Sequence, residues 1–264
     1  MGIKTTKILF FLVLFHKNKS KHINNCVIYN FNNVKINFKF VNNGGIVNIF
    51  LHGWGRDMRD FDDVVKIKNN VSYLLIDFPP FGKSGEPQNW TIFTYANMLI
   101  SLIRHLKIKK ANLIGHSFGG RVAILVAGME KELIENLVLV DSAGMRPKRK
   151  IGVKFKVFKY KIMKKLGLNT NSFGSEDYKK LSSNMKATFN NIVNTYLEEN
   201  AKLLKVRTLI IFGKNDKETP IYMAKKLNRL IDNSKLVLIE NAGHFCFLER
   251  KIYFCEILSD FLEG

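Results

Sequence analysis

The chain has 264 residues, 46% of them hydrophobic and 12% aromatic, which is enough for one sizeable core and a small added subdomain. Its formal net charge is +20, but no zinc-finger, helix-turn-helix or aromatic RNP-like pattern accompanies that charge, which argues against a nucleic-acid groove. The three cysteines, Cys26, Cys246 and Cys255, are odd in number and lack metal-ligand spacing, so neither a disulfide framework, a metal site nor a cofactor is expected and a cytoplasmic setting is the simpler fit.

Residues 1–24 stand apart in composition from the rest of the chain. Lys4 and Lys7 precede the apolar run Ile8 to Phe15, which is too short to span a bilayer, and Lys17, Lys19 and Lys21 come after it without a small-residue cleavage site. The segment is expected to be an extension of a 25–264 domain: one that docks on it, one that anchors it peripherally at a membrane, or the product of a start placed too early.

From residue 26 to 41 apolar residues alternate (Val27, Tyr29, Phe31, then Val34, Ile36, Phe38, Phe40) around Asn32-Asn33, the pattern of an antiparallel hairpin at a sheet edge. Six later runs, near 46–51, 71–76, 111–114, 137–140, 208–212 and 236–239, are continuously apolar, as strands covered on both faces are. Helix-period segments such as Phe93 to Leu106 and Ile221 to Leu230 lie between them. The alternation predicts an α/β fold with a doubly wound, mostly parallel sheet.

Chemistry concentrates where those runs end. Ala111 to Ile114 leads into Gly115-His116-Ser117-Phe118-Gly119-Gly120 and then a helix-like apolar stretch. A serine hydroxyl becomes a useful nucleophile when a strained turn lifts it clear of the backbone and a base stands beside it, and the flanking glycines permit such a turn. The run 208–212 ends before Asp216, and the run 236–239 ends before His244. The C-terminal ends of parallel strands share one edge, so Ser117, Asp216 and His244 can meet despite their separation in sequence. Asp141 also ends a strand and is the competing acid. Farther upstream, the run 46–51 enters His52-Gly53-Trp54-Gly55.

With the nucleophile, acid and base in that order, the chain resembles the α/β-hydrolase fold superfamily from about residue 25 to the C-terminus, and within it small bacterial serine esterases and, loosely, the pimeloyl-acyl-carrier-protein methyl ester esterases. The stretch Asp77-Phe78-Pro79-Pro80-Phe81-Gly82-Lys83-Ser84 resembles the family's D-x-P-G-x-G-x-S loop, with Pro80 in place of a glycine. The resemblance implies a serine hydrolase that cleaves a small carboxylic ester, with backbone N–H groups of Trp54 and Phe118 holding the oxyanion. Thioesterase, carbon–carbon hydrolase and aminopeptidase activities stay open, as does a ligand-binding protein that keeps the fold without turnover. His52 is expected to brace the oxyanion loop, and His116 to point away from the elbow. The resemblance also places a small helical lid at about 145–200. Its first part, Arg146 to Lys165, carries ten basic residues and no acidic one, beside an apolar stripe through Ile151, Phe155, Phe158, Ile162 and Leu166. Such a run suits an anionic membrane surface or an acidic carrier protein, or is simply a solvated face.

Overall fold

A computed structural model describes residues 27–66, 70–148, 178 and 181–264. The N-terminal extension, Cys26, the apolar stripe and the basic run beyond Lys148 lie outside the described residues. The hairpin is β1 (Val27–Phe31) and β2 (Val34–Val41), joined by Asn32 and Asn33, both with positive φ. That is the two-residue turn whose twist matches paired strands, and asparagine tolerates it.

The remaining strands are β3 (Val47–Leu51), β4 (Ser72–Ile76), β5 (Ala111–His116), β6 (Ile134–Val140), β7 (Arg207–Gly213) and β8 (Ser234–Ile239). The helices are α1 (Ile92–His105), α2 (Phe118–Met129), α3 (Ser183–Val193), α4 (Glu198–Lys202), α5 (Ile221–Leu230), α6 (Cys246–Glu249) and α7 (Lys251–Glu263). Among the described residues the strands form one sheet in the order β1-β2-β4-β3-β5-β6-β7-β8, parallel from β4 through β8 and antiparallel at β1 and β2.

The continuous apolar runs are explained by burial on both faces. Along β7, Ile210 and Phe212 face a core shared with α1, α2 and α5, while Leu209 and Ile211 face a second core closed by Phe247, Phe254 and Leu258 of α6 and α7. The last strand departs from the expectation. Leu236, Val237 and Leu238 of β8 are only partly buried, because β8 is the edge of the sheet and lacks a neighbour on one side.

A polar ladder crosses the opposite end of the sheet. The Asn112 amide donates to Asn48 Oδ1 (2.8 Å), the Asn136 amide donates to Asn112 Oδ1 (2.9 Å), and Arg207 donates to Asn136 Oδ1 (3.2 Å) and to the Phe261 carbonyl (2.7 Å). The four residues are register partners on β3, β5, β6 and β7. Asn112→Ala would orphan groups on both sides, so it should lower stability by about 1–3 kcal/mol. Because the ladder lies at the far ends of the strands from Ser117, thermal melting should show the loss while the turnover number of the folded protein stays unchanged.

Candidate active site

The elbow forms where β5 gives way to α2. Ser117, between them, has φ 50° and ψ −107°, a region that L-residues seldom occupy and that costs on the order of 1–3 kcal/mol. Its surroundings hold it there. Ser117 N–H donates to the Val140 carbonyl (3.0 Å), and its own carbonyl accepts from Gly120 and Ala143 (both 3.1 Å). A Cβ at Gly119 would overlap the Leu51 carbonyl, and one at Gly115 would lie 2.6 Å from the Gly119 oxygen. Only glycine lets α2 seat this close to β3 and β5. The strand order reverses between β3 and β5, so Ser117 sits at the switch point where an α/β sheet opens a crevice.

Ser117, His244 and Asp216 form one hydrogen-bonded chain. Ser117 Oγ is 3.0 Å from His244 Nε2, and His244 Nδ1 is 2.8 Å from Asp216 Oδ2. Asp216 closes an Asx turn: its Oδ1 accepts from the N–H groups of Glu218 (2.7 Å) and Thr219 (2.9 Å), and Thr219 Oγ1 lies 2.6 Å from Oδ2. Burial alone would raise the Asp216 pKa, but the bonds from His244 and Thr219 outweigh it and hold the carboxyl below its ordinary value. For His244, burial works against the imidazolium, yet the Asp216 bond and the charges of Asp216, Glu218 and Asp141 prevail and raise its pKa. Asp141, the competing acid, does not touch the imidazole; its oxygens accept from the backbone N–H groups of Gly213 and Cys246.

His52 braces the loop after β3, as expected. Its Nε2 accepts from Phe78 N–H (2.8 Å), which leaves Nδ1 to donate to the Gly53 carbonyl (2.7 Å). Complete burial lowers its pKa and keeps it neutral. The loop after β4 is closed by Asp77, which accepts from Asn37, Met58 and Lys83. His116 corrects an expectation. Its ring does not turn away from the site; it packs 4.9 Å from the His244 ring, and its Nε2 is 2.8 Å from the His244 carbonyl oxygen. Burial pushes its pKa down to about 3, so it serves as a neutral donor that fixes the His244 backbone.

Above Ser117 opens a cavity of about 390 Å³. Trp54 and Phe118 line it, their rings edge-to-face at 5.5 Å. Phe189, Ile192 and Val193 of α3 form an apolar wall. Sequence reasoning missed the charged residues of this wall. Arg121, on α2, is buried and donates through one nitrogen to the carbonyls of Ile192 (3.0 Å) and Thr195 (2.6 Å), so it clamps the C-terminal end of α3 to the helix that comes after Ser117. Burial lowers its pKa to about 10, which still leaves it charged at neutral pH. Glu218 reaches 3.3 Å from His244 Nε2. The Asp-x-x-Thr-Pro spacing after β7 was a legible turn signal for Thr219; nothing in sequence linked Arg121 to α3.

A family model described as the alpha/beta hydrolase fold matches residues 49–161. The chain is 26% identical to the pimeloyl-[acyl-carrier protein] methyl ester esterase of Wigglesworthia glossinidia brevipalpis over 86% of this chain and 97% of the relative. The chain has the α/β-hydrolase fold. It is also 25% identical to an uncharacterized hydrolase of Bacillus subtilis, YugF, over 81% of this chain and 89% of that one. The crystal structure of the enol-lactonase from Burkholderia xenovorans LB400 shares the fold, with a TM-score of 0.72 at 19% identity, covering 90% of this chain and 100% of that one.

The geometry of this hydrolase fixes a sign for its pH dependence. A base at His244 works only when neutral, so activity should fall as pH drops through a midpoint above the ordinary histidine value of about 6.5. Asp216→Asn removes the charge that raises His244 and lets the wrong tautomer form. It should lower turnover by about 10⁴, by analogy with the serine-protease triad. A pH–rate profile of both proteins on one soluble ester checks both statements.

Proposed function

We propose that the hydrolase cleaves a small carboxylic ester through an acyl-enzyme on Ser117. Ser117 Oγ attacks the ester carbonyl carbon while His244 Nε2 takes the hydroxyl proton, and Asp216 steadies the resulting imidazolium. The carbonyl oxygen, now negative, accepts from the N–H groups of Phe118 and Trp54. Collapse breaks the bond to the alcohol oxygen, which leaves with the proton from Nε2. Water then repeats the sequence on the acyl-enzyme, releasing the acid and restoring the serine.

The observation that carries this reading is the chain Ser117 Oγ, His244, Asp216, with links of 3.0 and 2.8 Å, at the floor of a cavity of about 390 Å³. A cavity of that size, walled by Phe189, Ile192 and Val193, suits a small acyl group rather than a polymer. Glu218 at the rim favours a second reading, an aminopeptidase that grips a cationic amino terminus, although Arg56 and Arg121 in the same wall oppose a cation. Hydrolysis of p-nitrophenyl esters of graded acyl length should exceed hydrolysis of aminoacyl p-nitroanilides. A fluorophosphonate probe should label Ser117, and Ser117→Ala should abolish labelling and reduce turnover to a small residual. Labelling of a different serine, or stoichiometric capture of ester without release, would replace the proposal.

The basic run Arg146 to Lys165 supports a further reading, recruitment of an anionic membrane surface or an acidic carrier protein. The similar Wigglesworthia esterase is named for a substrate on an acyl-carrier protein. At the start of the run, Arg146 stacks over Tyr196 and Lys148 over Tyr222, with the rest outside the described residues. Binding to anionic vesicles or to acyl-carrier protein should fade as ionic strength passes about 0.15 M, where the Debye length is ~8 Å. Neutralising Lys154, Lys156, Lys161 and Lys164 together should weaken it while leaving hydrolysis of a soluble ester nearly unchanged.

A further inference from the structure

Asp141 comes directly after β6 with φ 42°, a conformation that few residues other than glycine adopt and that aspartate tolerates. The turn sends its side chain between the loops that come after β7 and β8. It is fully buried there and is not part of the cavity wall. Oδ1 accepts from Gly213 N–H at 2.7 Å, and Oδ2 accepts from Cys246 N–H at 3.2 Å. Gly213 is the last residue of β7, and its carbonyl accepts from Asp216 N–H at 3.2 Å. Cys246 lies two residues past His244. The Asp141 backbone joins the same frame, with its N–H on the Ile211 carbonyl (2.8 Å) and its carbonyl 3.0 Å from Thr219 Oγ1, the hydroxyl that also meets Asp216.

We propose that Asp141 is a positioning residue: by holding Gly213 with one carboxylate oxygen and Cys246 with the other, it sets the separation and angle between Asp216 and His244. This rests on the reading of Ser117, His244 and Asp216 as the reacting set, and adds a residue that touches none of the reacting atoms. A carboxylate is needed because its contacts are all donors, two N–H groups and the Cys246 thiol. An amide would offer one acceptor and turn an NH2 against the other N–H, and alanine would leave two buried donors unpaired.

The same placement couples the frame to pH. The groups that face Asp141 are Asp216 and Thr219 from the β7 loop and His244 and Cys246 from the β8 loop. His116 lies behind His244 as a neutral ring, and burial keeps the Cys246 thiol protonated. Burial foremost, with the charge of Asp216, pushes the Asp141 carboxyl up to about 7 against the Cys246 thiol and the two N–H bonds that favour its ionised form. Acidification therefore protonates His244 and loosens the Asp141 frame over one range of pH. The acid limb of kcat/KM should be steeper than a single ionisation.

The test is a pH–rate profile on a p-nitrophenyl ester for wild type and Asp141→Asn, with fluorophosphonate labelling of both and circular dichroism to confirm folding. For Asp141→Asn, kcat should fall by roughly 10–100-fold, the scale of a small misplacement of reacting groups, with KM changed by less than about threefold. Its acid limb should become a single ionisation with a lower midpoint, because one anion fewer supports the imidazolium. A folded Asp141→Asn variant with wild-type kcat overturns the proposal, and so does a loss of kcat with the limb unmoved in slope and midpoint, which is the outcome of a merely structural role. If the variant does not fold, the wild-type limb decides: a slope approaching two protons supports the coupling, and a slope of one overturns it. A wild type that the probe does not label overturns the Ser117 reading and this proposal together.

Discussion

The site depends on how closely α2 is pressed into the sheet. Gly119 sits against the Leu51 carbonyl and Gly115 against Gly119, so the strand, turn and helix occupy a space that admits no Cβ at either position. That contact forces the chain through the disfavoured backbone geometry at Ser117 and presents its side chain to the crevice between β3 and β5. The strain is supported by burial along α2, where Val122 to Ala127 all lie in the main core. The strained Ser117 is thus anchored by a helix buried along its length, and Arg121 extends that anchorage to α3 above it.

Burial and hydrogen bonding then sort chemically similar groups into different states. His52, His116 and His244 all lie near the C-terminal edge of the sheet. His52 and His116 face backbone groups, and burial leaves them neutral; His244 faces Asp216, and that carboxylate reverses the effect of burial. The two aspartates divide in the same manner. Asp216 is stabilised by an imidazole, a hydroxyl and two N–H groups, whereas Asp141 has two N–H groups, the weak Cys246 thiol donor and a neighbouring anion. Of these three histidines, only His244 has its imidazolium favoured.

The neighbourhood of His244 is held from several directions at once. His116 fixes its carbonyl, Asp141 fixes the N–H two residues on, and Asp216 fixes its ring. These anchors come from β5, β6 and β7, three strands that converge at one sheet edge. A loop residue, which has no helix or strand of its own to define it, acquires a single orientation in this way.

The sequence by itself determined the strands, the hairpin and the order in which serine, aspartate and histidine come after strand ends, because local periodicity and turn chemistry depend on neighbours only. Asn32-Asn33 and the glycines around Ser117 are legible for the same reason: the backbone they permit is a property of the residue. Tertiary structure alone decided which aspartate meets His244, that His116 backs the site rather than leaving it, that β8 is an exposed edge, and that Asn48, Asn112, Asn136 and Arg207 join into a ladder. Each of these depends on which strands become neighbours and on distances of about 3 Å between residues far apart in the chain. Asp141 and Asp216 both come after the end of a strand, and only the path of each loop through space separates a carboxylate that touches the imidazole from one that holds the loops around it.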